Sequence, residues 1–450
     1  MAISRFISYL QANIRSFLKR SDLQYLFIFA LVLRLCYLIL MLGQLGSEEM
    51  MKLAPDTIRY VNVGRELLGG HIFDEGAVVI FGPGYGAFLA LNFFFLGVNP
   101  LGVLLVQIIL SSAACLMIYR LGHELTGSRT AGYIAGILSA TSFTSISLAN
   151  FVLSDTLFFF LFLLGNLAFV LGFRQRRRSY FVCSGICIGL AALVRSIGQF
   201  WPLVMVAFAI ILPCGDGFGF PIRGGFRSAR RVLVAPLIAV IIMAVWAGRN
   251  YYVHDVPMLA FTSAGGPANV AALTLAQSRG VETGDIFIEW ERQYQQPTGT
   301  ENLSYADRFR LYSRAVKDVF FADPIATIRT YLSLVWLNLN EFNELYRAQL
   351  PSFSNAILDR MCWLYERSLN YLTFWLSMAG FAVLLLMRRW RAFVYLGTIY
   401  LYFALMIGFT RWQGSRLFYP GQIAWTIVIA WLIVNVVVIA GRGGRRILGK

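Results

Sequence analysis

Charge is scarce in this sequence. Acidic and basic residues make up 14% of its 450 residues, against 58% hydrophobic ones, whereas soluble domains carry about 25% charged residues. An ordinary soluble globular domain is excluded. Histidine is nearly absent, with three in the chain, and His71, His123 and His254 are too scattered to offer a Cys/His metal spacing. Of the six cysteines, Cys36, Cys115, Cys183, Cys187, Cys214 and Cys362, only the last falls in a long segment expected outside the cytoplasm. No disulfide framework is implied, and Cys183 and Cys187, one turn apart in a span, read as packing. There is no Walker-A pattern, and "GPGYG" and "GDGFG" lack the strand–helix setting of a dinucleotide fingerprint, which disfavours ATP-driven transport. No internal repeat is visible.

Long apolar runs are what the chain has instead, and runs of about 20 residues mark membrane spans. The expected fold is an all-α polytopic membrane protein of about ten transmembrane helices, near 23–43, 101–121, 130–149, 153–173, 179–195, 198–213, 232–249, 369–387, 392–409 and 421–440. The net charge of +16 is gathered into short segments between spans: "RQRRR", "RGGFRSARR", "RRWR" and the tail "RGGRRILGK". The positive-inside rule assigns such segments to the cytoplasm, and no basic stripe interleaved with aromatics suggests nucleic acid as a partner. Residues 1–22 pattern as an amphipathic helix on the cytoplasmic leaflet. Residues 23–249 form an N-terminal transmembrane module that includes an outer loop, 44–99, in which "GPGYGAFLALNFFFLG" is a second juxtamembrane helix. Residues 250–368 form a long outer segment opening on a glycine-rich loop, "TSAGGPANV". In it, 324–343 starts at an Asp-Pro signal and either lies on the membrane or dips into it. Residues 369–450 supply the last helices and the basic tail. "GYIAG" and "GICIG" are small-xxx-small patterns that let helix backbones approach closely in lipid.

Ionisable residues within or at the ends of spans are costly and become functional candidates. On the expected outer face stand Asp56 in "PDTIRYVNVGRELLGG", Asp155 in "LSDTLFFF", Arg195 in "LVRSIG", Arg249 with Asn250, and Arg411 and Arg416 in "RWQGSRLFYP". Each aspartate could simply cap a helix, and each arginine could snorkel to the headgroups. Together they suit phosphate chemistry. Arginine forks bind phosphate oxygens, a carboxylate can act as general base on a hydroxyl, and a second carboxylate can hold a divalent cation.

The order of these motifs resembles the integral-membrane, lipid-phosphate-dependent glycosyltransferases of GT-C fold, which include protein O-mannosyltransferases and the bacterial lipid A aminoarabinose transferase. The carrying segments run from "PDTIRYVNVGRELLGG" through "GPGYGAFLALNFFFLGVNPLGVLLVQ", "LSDTLFFF", "GLAALVRSIG" and "VWAGRNYYVHDVPMLAFTSAGG" to "GSRLFYPGQIAW". The chain departs from the family at Thr57, where eukaryotic mannosyltransferases have the second residue of an Asp-Glu pair, and at Phe81-Gly82 and Gly86, where many bacterial relatives have an arginine-proline start and a second proline. The resemblance implies sugar transfer from a polyprenyl-phosphate-linked donor to a hydroxyl of a glycolipid, polysaccharide or protein acceptor. This would take place at the extracytoplasmic face of a bacterial cytoplasmic membrane. It implies Asp56 and Asp155 as catalytic residues that together could hold a divalent cation (Mg, Mn or Zn). Arg59, Tyr60, Tyr85, Arg195, Arg249, Asn250, Arg411 and Arg416 would bind substrate. The competing reading is a lipid-linked sugar transporter, which would use the same arginines and need no base.

Overall fold

The structure is a computed structural model that describes residues 20–50, 55–71, 82–211, 230–256, 258–260, 262–298, 303–341, 356–411 and 413–447. The amphipathic helix expected at 1–22 lies, but for its last residues, outside them. Among the described residues the chain is helical throughout, because lipid offers the backbone no hydrogen-bond partners and each apolar segment must satisfy its own. The helices in order are α1 (Arg20–Met50), α2 (Pro55–Leu68), α3 (Pro83–Leu96), α4 (Pro100–Thr126), α5 (Arg129–Thr141), α6 (Phe143–Ala149), α7 (Asp155–Gln175), α8 (Arg178–Val194) and α9 (Trp201–Ile211). They continue with α10 (Val234–His254), α11 (Thr262–Arg279), α12 (Thr283–Thr298), α13 (Tyr305–Ala322), α14 (Pro324–Asn340), α15 (Ala356–Leu386), α16 (Trp390–Met406) and α17 (Gln422–Ile447).

All ten expected spans fall on helices, but they are not equal. Among the described residues seven helices are long and apolar enough to cross a membrane, and an eighth crossing arises if α5 and α6, bent by 56° at Ser142, count as one. The remaining two expected spans, α8 and the helix over Ser196–Ile210, are shorter apolar helices, as is α3. Helix α14 is not among the long apolar helices. The expected Asp-Pro start is real: Pro324 is its first residue and the Asp323 carboxylate accepts from the Ala326 N–H at 2.8 Å. The segment expected as a glycine-rich loop is instead the start of α11. Its alanines explain the difference: Ala268, Ala271, Ala272 and Ala276 are buried against Ile286 and Trp290 of α12 and Tyr312, Ala315 and Val319 of α13, and that packing outweighs the helix-breaking tendency of the glycines.

Helix α7 is the centre of the bundle, with Phe158, Phe159, Phe162 and Phe169 all buried. Phe162 meets Trp201 and Phe403 edge-on at 4.9 and 5.0 Å, the geometry aromatic quadrupoles prefer. The two small-residue patterns work as helix seams. A Cβ at Gly132 would lie 2.5 Å from the Tyr119 carbonyl of α4, and one at Gly185 would lie 2.5 Å from the Ala235 carbonyl of α10. Only glycine permits those contacts.

Arg34, inside the first span, is wholly buried. Its guanidinium donates from Nε to Ser111 Oγ at 2.8 Å, from Nη2 to Ser145 Oγ at 2.8 Å, and from Nη1 to the Ala30 and Ala140 carbonyls at 3.0 and 3.3 Å. Ala140 belongs to the last turn of α5, where carbonyls lose their intrahelical partners, so the arginine satisfies the break between α5 and α6. Ser145 also lies 3.3 Å from the Tyr419 hydroxyl, which ties this junction to the 3-10 turn before α17. Arg34→Ala is expected to cost on the order of 3 kcal/mol through the stranded acceptors, read as a lower thermal midpoint in detergent. Arg34→Lys should restore only part, because an ammonium lacks the planar fork. A midpoint unchanged by Arg34→Ala would contradict this role.

Candidate active site

The site grows from the short connection between α6 and α7. Gln107 of α4 donates from Nε2 to the Phe151 carbonyl at 2.6 Å, and Thr57 of α2 donates to the Val152 carbonyl at 3.3 Å. The Tyr60 hydroxyl lies 3.2 Å from Ser154 Oγ. Tyr85 of α3 donates to Gln107 Oε1 at 2.8 Å, and its ring meets Tyr60 edge-on at 4.9 Å. These contacts fix the turn that presents Asp155 as the first residue of α7 and dock the start of α2, with Asp56 in its first turn, against that turn. Asp155 is therefore not a cap. Ser154 holds the cap position, and the Asp155 carboxylate takes other partners.

Those partners are two arginines from distant parts of the chain. Arg195 Nη1 lies 2.5 Å from Asp155 Oδ1, and Arg416 Nη2 lies 3.2 Å from Oδ2. Arg195 follows α8 in extended conformation. It is placed by the first turn of α3, since a Cβ at Gly84 would meet the backbone N of Val194 at 2.6 Å. Gly82 and Gly84 of "GPGYG" thus serve a close contact with the backbone before Arg195, while Gly86 makes room for the Val63 side chain of α2. Arg416 lies in a 3-10 turn, Gly414–Arg416. That turn is gripped by α14: Asn338 Oδ1 accepts from the N–H groups of Gln413 and Gly414 at 2.9 and 3.1 Å, and the Glu341 carbonyl accepts from the Ser415 N–H at 3.1 Å.

The Asp155 side chain is 4% exposed, Arg416 8% and Arg195 21%. Two guanidinium groups around one carboxylate leave this trio with a formal surplus of one positive charge, and Nε of the buried Arg416 has no hydrogen-bond partner among the described residues. Burial opposes the Arg416 charge, yet the facing Asp155 carboxylate outweighs it and holds the guanidinium above its ordinary pKa. Burial likewise raises the Tyr60 phenol, with Arg195 opposing the rise, so Tyr60 is a neutral hydroxyl at physiological pH. The charge of Asp56 acts on both Tyr60 and Arg416, and Asp56 is half-buried. The arrangement therefore sets two buried or half-buried guanidinium groups beside a carboxylate at a helix start.

The other expected site residues lie elsewhere or play different parts. Arg249 donates to Asn250 Oδ1 at 3.0 Å, lies 3.2 Å from His254 Nε2 and stacks 5.1 Å from the Trp246 ring. Asn250 in turn donates to the Met258 carbonyl at 2.7 Å. This pair shapes the turn after α10. Arg59 and Arg411 are exposed and form no ion pair among the described residues. The cation expectation meets an obstacle at Asp155, both of whose oxygens are taken by guanidinium groups, and no three His, Cys, Asp or Glu side chains gather into a metal site among the described residues. The donor set does not fit a divalent ion bound through Asp155. Gln107, Asn338 and Arg34 were not singled out from sequence. Only Arg34 carried a signal, being an arginine in mid-span.

Removing one member of a buried ion pair strands the other, at a cost of about 3–5 kcal/mol. Asp155→Ala, which strands both arginines, is expected to lower thermal stability to that extent, and Arg416→Ala, which leaves Asp155 paired with Arg195, should cost less. The double variant should lose less than the sum of the two, because the contact between them is counted in both single losses. Strictly additive losses would show that the pair is not coupled.

Residues 82–247 match the family described as dolichyl-phosphate-mannose-protein mannosyltransferase. No curated protein matches the chain. Among solved structures, the oligosaccharyltransferase AglB of Archaeoglobus fulgidus, in complex with an inhibitory peptide and a dolichol-phosphate, is similar with a TM-score of 0.53 and 15% identity, over 96% of this chain and 53% of its own. The Archaeoglobus fulgidus oligosaccharyltransferase tethered to an acceptor peptide with an NVT sequon is similar at TM-score 0.54 and 15% identity, over 94% of this chain and 50% of its own. The chain thus spans about half the length of the solved structures it matches. It is an integral membrane protein with the GT-C fold, and the stretch that carries both Asp155 and Arg195 matches the mannosyltransferase family.

Proposed function

We propose that the protein is a membrane glycosyltransferase that moves a sugar from a polyprenyl-phosphate donor to a hydroxyl of an acceptor, at the extracytoplasmic face of a bacterial cytoplasmic membrane. The observation that carries this reading is the Arg195–Asp155–Arg416 cluster beside the Asp56 end of α2. Two guanidinium groups around one carboxylate, with Arg195 still 21% exposed, suit the phosphate of such a donor. The match to a mannosyltransferase family and the fold shared with a protein solved with a dolichol-phosphate support it. The direction of insertion is supported by charge. The "RQRRR" and "RRWR" segments follow the far ends of α7 and α15, away from Asp155, as expected if that far face is cytoplasmic.

In the reaction, Asp56 takes the proton of the acceptor hydroxyl as that oxygen attacks the anomeric carbon. The bond from that carbon to the phosphate oxygen breaks with inversion, and its electron pair leaves on the polyprenyl phosphate. Arg416 and Arg195 stabilise the negative charge gathering there. Asp155 acts through them, holding both guanidinium groups in place. The positive charge comes from arginine, and no step here is routed through a metal. The exposed Phe94 and Phe95 near the end of α3 provide an apolar surface at headgroup depth for the isoprenoid chain.

Asp56→Asn keeps the shape of α2 and removes the base. It is expected to lower transfer from a synthetic polyprenyl-phosphate sugar by about 10²–10⁴-fold, with donor binding and thermal midpoint unchanged. Full transfer by a stably inserted Asp56→Asn protein would eliminate the assignment.

A further inference from the structure

A cavity of about 430 Å³ lies on the other side of the turn that carries Arg416. It is bounded by the break between α5 and α6, by α15 and α16, and by residues 415–425. Its volume falls within the range of small-molecule sites, roughly 300–1,000 Å³. The lining differs in kind from the arginine cluster. Tyr400, Phe418 and Trp425 supply aromatic surface, while Thr144, Asn370 and Gln422 supply neutral polar groups. Among the described lining residues there is no Lys, Arg or His, so an anion would find no cationic side chain there.

Asn370 is the informative member. It is half-buried and its Nδ2 donates to the Glu341 carbonyl at 3.0 Å, which leaves its Oδ1 as an acceptor for a ligand hydroxyl at the cavity wall. Glu366, whose Oε1 accepts from Ser415 at 3.4 Å, also lines the cavity as an acceptor. Acceptors and hydroxyls set among aromatic rings suit a sugar ring, which presents O–H donors at its edge and C–H groups on its face. The α15 surface beside the cavity is apolar and exposed at Leu372 (53%) and Trp375 (62%), so a ligand can approach from lipid.

We propose that this cavity binds the saccharide head of a glycolipid, with a hydroxyl donating to Asn370 Oδ1. Its assignment as the acceptor of the transfer reaction rests on the function proposed above, whereas the binding itself does not. Ser415 lines the cavity and Arg416, the next residue, reaches Asp155. One turn therefore has a face for phosphate and a face for hydroxyls.

The test is photocrosslinking of the purified protein in phosphatidylcholine nanodiscs, with a diazirine-bearing alkyl β-glucoside as the probe. Saturable labelling is expected on peptides from α6, α15 or residues 415–425, competed by octyl glucoside and not by dodecyl phosphate. Asn370→Leu should weaken it about fivefold, the loss of one hydrogen bond. Thr373→Phe, which fills the cavity from the α15 surface, should abolish it even if Asn370→Leu proves unstable. Equal competition by dodecyl phosphate, equal labelling by a diazirine alkanol without the sugar, or full labelling of Thr373→Phe would each overturn the proposal. Asp56→Asn should label normally. Labelling that follows expectation while Asp56→Asn still transfers sugar would remove the catalytic assignment and leave the cavity standing, and normal catalysis without labelling would do the reverse.

Discussion

A carboxylate taken out of water must be paired, and in this protein the pairing of Asp155 determines what must come together around it. Its two oxygens are held by Arg195 and Arg416, which stand 221 residues apart in sequence (416 minus 195). Neither arginine can reach Asp155 unless α8 packs beside α7 and the turn before α17 folds back over both. The supporting contacts all serve that end. Gly84 lets α3 press on the backbone before Arg195, and Asn338 holds the turn that ends in Arg416.

The same logic operates at the far end of α7. Arg174, in its last turn, lies 2.7 Å from the buried carboxylate of Glu124, which also pairs with Arg120 at 2.7 Å. Each end of the most buried span is thus closed by a carboxylate between two arginines. The signs follow the helix dipole, with the carboxylate of Asp155 at the N-terminus and the arginine of α7 near the C-terminus. At the Glu124 end the arginines are 38–47% exposed, where solvent weakens such pairs. At the Asp155 end they are more buried, and the charges there are correspondingly better suited to act on a bound group than on the solvent.

Charge is also distributed so that the two proposed ligand groups do not compete. The arginine cluster is suited to an anion, while the cavity behind it is lined by hydroxyls, amides and the Glu366 carboxylate, with no cationic side chain among the described lining residues. Ser415 and Arg416 face these two environments from adjacent positions. Such a division would let a phosphate and a hydroxyl-bearing partner approach one turn from opposite sides, with little reorganisation of the protein.

Sequence alone determined the helical membrane class, because apolar runs of span length and arginines gathered between them have few other physical meanings. It also picked out Asp56, Asp155, Arg195 and Arg416, since a charge at a span end stands out against an apolar background. It could not show which of the charges meet. Arg249 and Asn250 looked equivalent to Arg195 in the chain, yet their contacts shape the turn after α10. Arg59 and Arg411 looked equivalent to Arg416, yet they are exposed. Nor could it show that the alanines of α11 would carry a glycine-rich start into a helix, or that Gln107 and Asn338 would hold the two turns that matter. Those outcomes depend on which faces of distant helices pack together. In lipid, close packing and paired polar groups decide that arrangement, and no local pattern in the chain encodes it.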